Sequence, residues 1–277
     1  MDAPAEPVAG LRWRGLQWLA WSAVPLLGLV LALWIQRQPP QRDLFVVLNL
    51  WATALPDGLW SSLTVLGETD TLLVFMSLLL PWRPQALMAV VAAVPVGGLY
   101  SLVLKNAFNA PRPAAVLDAA QFHLIGPLLS NHSFPSGHSI TAFAAASAVL
   151  ACVVTPRATL RSALWVLLIV GVASAVGFSR VAVGAHWPVD VLAGACGGWL
   201  AGLSGAWTTR RFPALWQSVR NQRVLGGLLG ALALWLLWRP ADYPQAVLMV
   251  WLAAACALLT LIAQWRSKLA TNPVLIE

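Results

Sequence analysis

Residues 179–207 read SRVAVGAHWPVDVLAGACGGWLAGLSGAW. From Trp187 onward the run is apolar and about 30 Å long as a helix, the thickness of a bilayer's hydrocarbon core. Gly194, Gly198 and Gly202 recur every fourth residue, which makes a smooth stripe where another helix can approach closely. At the mouth of the same run stand Arg180, His186 and Asp190. The segment therefore predicts a membrane span that begins in a polar cluster.

The whole chain agrees with that reading. Of 277 residues, 59% are hydrophobic and 10% charged, against about a quarter charged in a soluble domain, and the mean hydropathy is +0.74. So little polar surface cannot cover a water-facing globule, and an all-α integral membrane protein is expected. Eight candidate spans can be placed, at 18–35, 59–80, 86–107, 137–155, 162–179, 187–207, 224–238 and 245–264. The apolar stretch Leu44–Leu55 reaches only about 18 Å as a helix before Pro56-Asp57-Gly58 ends it, so it reads as interfacial or re-entrant. The expected organisation is a cytoplasmic tail over 1–17, a six-span core over 18–207, and a connector plus two further spans over 208–277. Arg12 and Arg14 precede an apolar run, Leu19–Ile35, without a small-residue cleavage site, which predicts an anchor rather than a removed leader. Cys152, Cys196 and Cys256 all sit in apolar segments and read as packing residues, not as disulfide or zinc partners.

A net charge of +7 would suggest nucleic acid in a soluble protein, but here the basic residues lie between spans. With the N-terminus cytoplasmic, that side collects Arg12, Arg14, Arg83, Arg157, Arg161, Arg210, Arg211, Arg220, Arg223, Arg266 and Lys268. The opposite side receives Arg37, Arg42, Lys105, Arg112, Arg180 and Arg239, as the positive-inside rule requires. All four histidines, His123, His132, His138 and His186, also belong to the outer side or just inside it. The 16 tryptophans favour span ends and read as an aromatic belt. Glu68 and Asp70 interrupt the second span; they could face a polar cavity, and the favoured expectation is a packed interface where they accept hydrogen bonds from Ser or Thr hydroxyls. Asn131-His132-Ser133 has the pattern of a glycosylation acceptor and is read as coincidence beside the polar clusters. His123, His132, Asn106 and Asn109 are left as loop or span-end residues without a role.

Three clusters carry the chemistry: Lys105-x6-Arg112-Pro113, Pro135-Ser136-Gly137-His138, and Ser179-Arg180-x5-His186-x3-Asp190. Three cations at one membrane level suit a phosphate dianion, since Arg offers a planar fork and Lys a point charge. Ser136-Gly137-His138 opens the fourth span, where free amides and the helix dipole favour an anion. His186 and Asp190 lie one helical turn apart, so the carboxylate can orient the imidazole and leave its other nitrogen to attack. His138 is the natural donor of a proton to the leaving oxygen.

These clusters, in this order, resemble the signature of the type 2 phosphatidic acid phosphatase superfamily, and the likeness extends over the six-span core. The resemblance implies a metal-independent, cofactor-free phosphatase in which His186 is transiently phosphorylated. It likewise implies that Asp190 orients His186 and that His138 acts as acid and then as base. Lys105, Arg112, Arg180, Ser136 and the Gly137 amide would hold the phosphoryl oxygens. The expected partner is a phosphorylated lipid in a bacterial inner membrane, hydrolysed on the periplasmic side. Undecaprenyl pyrophosphate is the first candidate, and phosphatidylglycerol phosphate, phosphatidic acid and lipid A phosphates are close alternatives. A lipid phosphotransferase and a non-catalytic transporter or scaffold are the competing readings; the sequence assigns no oligomeric state.

Overall fold

A computed structural model describes residues 15–154 and 159–270, with side chains described over 17–154 and 159–262. The expected topology signals at Arg12, Arg14 and Arg157, and the side chains of Arg266 and Lys268, lie outside that description. All regular structure among the described residues is helical: α1 Gly15–Gln36, α2 Arg42–Ala52, α3 Asp57–Val65, α4 Thr69–Met76, α5 Pro84–Phe108, α6 Gly137–Val153, α7 Leu160–Ala182, α8 Pro188–Arg211, α9 Ala214–Gln217, α10 Val219–Trp238 and α11 Val247–Ala270.

The helix ends follow from local chemistry. Pro84 and Pro188 occupy the first positions of α5 and α8, where the missing N–H costs nothing. Ser136 caps α6 by accepting from the Ser139 amide, and Thr159 caps α7 by accepting from the Ser162 amide. Asn109 ends α5 in a left-handed conformation, φ 38°, a role open to asparagine at a helix C-terminus.

α8 is the axis of the bundle. It is 67% buried, against 11% for α1, and it packs on α1, α5, α6 and α7. The glycine stripe explains how. A Cβ on Gly194 would lie 2.6 Å from the Ser136 carbonyl oxygen, and one on Gly198 2.8 Å from Ile140 Cα. α6 thus crosses α8 backbone against backbone, as the spacing predicted.

Five described helices are long and apolar enough to cross a membrane, or six if α3 and α4 count as one bent span. α6, with 17 residues, and α10 are not among them, so eight spans stays a proposal. α2 is the short apolar helix expected over 44–55. The continuous second span expected over 59–80 is corrected: α3 and α4 meet at 76° across Leu66-Gly67-Glu68. The break places Asp70 in the first turn of α4, where its Oδ1 accepts from the Thr71 amide at 2.8 Å and the helix dipole favours negative charge. The setting expected for the two carboxylates also changes. Thr71 Oγ1 does donate to Glu68 Oε2 at 3.1 Å, but the charge is met by Arg239. Its Nη1 reaches Asp70 Oδ2 at 2.8 Å, and its Nη2 contacts Glu68 Oε2.

Arg239 belongs to the connection between α10 and α11, so the two C-terminal helices are tied to the broken span. Leu225, Leu229 and Leu261 pack with Leu80 and Leu87, while Tyr243 and Ala246 join Trp60, Val65 and Val74 in one apolar cluster.

Candidate active site

Five segments converge at one end of the bundle. Lys105 comes from the last turn of α5, Arg112 from the loop after it, Gly137 and His138 from the first turn of α6, Arg180 from the last turn of α7, and His186 and Asp190 from the entry to α8. Arg112, Arg180, His186, Asp190 and Ser136 are buried, while Lys105, Gly137 and His138 are half-buried.

The centre is a line of four groups. Ser133 Oγ donates to Asp190 Oδ2 at 2.5 Å, His186 Nδ1 lies 3.3 Å from the same oxygen, and Arg112 Nη1 stands 3.2 Å from His186 Nε2. The Trp187 amide also donates to Asp190 Oδ2, at 2.8 Å. A carboxylate that accepts from two fixed donors turns its remaining capacity toward Nδ1, so Nδ1 carries the imidazole proton and Nε2 is the free base. Burial, and then the charges of Arg112, Arg180, Lys105 and His138, hold the pKa of His186 well below its usual value. The ring is therefore neutral at physiological pH.

Each arginine is fixed by groups other than a ligand. Arg112 donates through Nε to the Asn131 carbonyl at 2.8 Å and through Nη1 to the Ala185 carbonyl at 3.0 Å. Arg180 donates through Nη1 to Thr64 Oγ1 at 2.6 Å and to Tyr243 Oη at 2.9 Å. Within the site, Arg180 Nε and His138 Nε2 are buried without a partner among the described residues, as is Asp190 Oδ1. Unpaired buried donors are uncommon, and both nitrogens belong to residues expected to contact a phosphoryl group. Ser136 serves here as a helix cap, its hydroxyl oxygen accepting from Ser139 N and Oγ at 3.4 and 3.0 Å.

A cavity of about 270 Å³ runs alongside between α4, α5 and α6. Gly137 and His138 line it, with Leu72, Val90, Val94 and Gly97 among its apolar walls. The break in the second span touches this wall. A Cβ on Gly67 would fall 2.7 Å from His138 Cβ and 2.9 Å from Val176 Cγ1, so only glycine seats the break against the histidine. Gly67→Ala is expected to displace His138 and lower kcat roughly 10-fold to 100-fold, the scale of an ångström-sized misplacement of a catalytic group. Steady-state turnover with an unchanged thermal midpoint checks this, and wild-type kcat refutes it.

Residues 86–214 match the PAP2 superfamily. The chain carries a PAP2 superfamily domain. Curated PAP2 relatives include an undecaprenyl-diphosphatase of Sulfolobus acidocaldarius, 29% identical over 171 residues, or 58% of this chain and 75% of that one. A lipid A 1-phosphatase of Rhizobium etli is 40% identical over 118 residues, covering 39% of this chain and 44% of that one. The chain thus spans three quarters of the first relative's length and under half of the second's. A transmembrane PAP2-type phosphatidylglycerolphosphate phosphatase of Bacillus subtilis shares the fold, at a TM-score of 0.53 and 18% identity over 69% of this chain and 96% of that structure.

Several residues of the candidate site gave no sequence signal of their own. Ser133, read only as the end of a coincidental triplet, is the Asp190 partner. Asn49 on α2 is buried; its Nδ2 donates to the Val181 and Ala182 carbonyls at 3.0 Å each, and its Oδ1 accepts from the His123 amide at 2.7 Å. That pins the end of α7 beside Arg180. A buried asparagine inside an apolar stretch was the available hint. His123 meets Asp57 Oδ1 at 2.9 Å, a role the sequence left open. Exposed His132, with φ 55°, has Nδ1 3.4 Å from the Lys105 carbonyl.

Proposed function

We propose that this protein is a membrane-embedded lipid phosphatase that hydrolyses a phosphomonoester or diphosphate through a phosphohistidine at His186, without a metal ion. The observation that carries the reading is the Asp190–His186–Arg112 line, in which a neutral imidazole has one nitrogen fixed by a carboxylate and the other beside a guanidinium. Nε2 attacks phosphorus as Arg112, Arg180 and Lys105 take up the charge of the equatorial oxygens. The P–N bond forms, the P–O bond to the lipid breaks, and His138, entering as the imidazolium, gives its Nε2 proton to the departing oxygen and is left as the neutral ring. His138 then accepts a proton from water, which attacks phosphorus, breaks the P–N bond and releases inorganic phosphate.

The apolar cavity beside His138 suits an acyl or prenyl tail that stays at lipid depth while the headgroup enters the cationic site. The named relatives act on an undecaprenyl diphosphate and a lipid A phosphate, and undecaprenyl diphosphate is the first substrate we assign. The site faces the periplasm across a bacterial inner membrane in this reading, which the distribution of Lys and Arg over the sequence supports.

Metal independence is part of this reading, since Lys105, Arg112 and Arg180 around the reacting position would repel a cation. The test is phosphate release by purified protein in chelator from undecaprenyl diphosphate, phosphatidic acid, phosphatidylglycerol phosphate and lipid A. Full release in chelator is expected, with the diphosphate fastest. Activity that chelator removes and Mg²⁺ restores would overturn the mechanism.

A further inference from the structure

We infer that the C-terminal helix pair is a working part of the phosphate site, through Tyr243 as a positioning residue for Arg180. Tyr243 lies 29 residues beyond the 86–214 match, in the connection between α10 and α11, yet it is 3% exposed and its Oη accepts from Arg180 Nη1 at 2.9 Å. Thr64 Oγ1, from the first half of the broken span, accepts from the same nitrogen at 2.6 Å. An Nη1 has two hydrogens, and these two acceptors use both. The guanidinium is thereby locked about its long axis, and its opposite edge, bearing the unpartnered Nε, is the edge that can form two parallel bonds to phosphoryl oxygens.

The surroundings fit this role. The Tyr243 ring fills the place beside Gly126, where an added Cβ would come within 2.9 Å of Cδ1, and Gly126 has φ 85°. Arg239, four residues earlier, binds Asp70 and Glu68, and Gln245, two residues later, accepts from Ser61 Oγ at 3.0 Å. The connection is fastened on both sides of Tyr243 to the two halves of the second span. Thr64 and Tyr243 therefore reach Arg180 as one assembled clamp.

The inference rests on the phosphatase reading, and the test separates the two. Full-length wild type, Tyr243→Phe, Thr64→Val and Ser61→Ala are compared in detergent for lipid phosphate hydrolysis and for inhibition by orthovanadate, a phosphate analogue. Tyr243→Phe keeps the ring and loses the acceptor. It is expected to raise the orthovanadate Ki and the KM about tenfold, in line with loss of a hydrogen bond to a charged group, with a smaller fall in kcat and an unchanged thermal midpoint without ligand. Thr64→Val should raise the Ki by a similar factor and keeps the test open if the tyrosine variant does not fold. Ser61→Ala, which removes one fastening but leaves both Arg180 acceptors and the Arg239 ion pairs, should raise the Ki by less than either. A wild-type Ki and KM in both Tyr243→Phe and Thr64→Val, or an equal loss in Ser61→Ala, overturns the positioning role while the phosphatase reading stands. Wild type that neither hydrolyses any lipid phosphate nor binds orthovanadate overturns both.

Discussion

His186→Asn is expected to abolish phosphate release, by about 10⁴-fold or more, the scale seen when a covalent nucleophile is removed. Asparagine can still accept at one position but cannot form the P–N bond. Wild type mixed rapidly with substrate should yield an acid-labile, base-stable phosphoprotein, and the variant should yield none. The pH dependence follows from the depressed pKa of His186. A lowered pKa keeps the free base populated below the usual histidine range, so the rate of phosphoprotein formation should hold steady from pH 7 to pH 6. An unperturbed histidine of pKa about 6.5 would have lost roughly three quarters of its free base at pH 6. A phosphoprotein in the His186→Asn protein would remove His186 from the nucleophile's role, and a decline following a midpoint near 6.5 would show that its pKa is not depressed.

Asp190→Asn should lower kcat by about 10³-fold to 10⁴-fold, as when the orienting carboxylate of a triad becomes an amide. Asp190 Oδ2 faces Ser133 Oγ, the Trp187 amide and His186 Nδ1. An amide keeps one accepting oxygen and turns an NH₂ toward whatever stands at the other end. If the oxygen stays with the Trp187 amide and Ser133, the negative charge that favours the Nδ1–H tautomer is still gone. Stability should fall by about 1–3 kcal/mol, the cost of a buried group left without its partner. Ser133→Ala, which removes one donor and leaves the charge, should cost much less in kcat. Comparison of the two in single-turnover kinetics checks the order; equal losses would place Ser133 on the same footing as the carboxylate.

The candidate site is legible in the sequence because it is partly local. His186 and Asp190 sit one turn apart on the same chain, and spacing alone put them on one face. The same holds for Gly194, Gly198 and Gly202, whose period announced a close crossing with a neighbouring helix. Helix positions were legible because apolar length is a property of each segment by itself. What escaped was contact between distant segments. Nothing about Tyr243, in the short loop between Asp242 and Gln245, marks it as the neighbour of Arg180, 63 positions away. The bend at Leu66-Gly67-Glu68 was masked by treating 59–80 as one run, although the need to include two carboxylates was its trace. Arg239 reads as a topology charge in the sequence, which gives no sign that its guanidinium also meets those carboxylates. Ser133 was hidden because a serine in a loop carries no periodic signal.

The crossing of α6 and α8 has a consequence for how such a protein can diversify. His138 stands on the first turn of α6 and His186 at the threshold of α8, and the two helices meet through main-chain atoms at Ser136, Ile140, Gly194 and Gly198. In the proposed mechanism, the gap between proton donor and nucleophile therefore works like a caliper with welded jaws. Substitutions along the cavity wall at Leu72, Val90 or Val94 can remodel the room for a hydrocarbon chain while the jaws keep their opening. Variation in lipid tail and constancy of the phosphoryl reaction are thus assigned to different atoms of the same bundle.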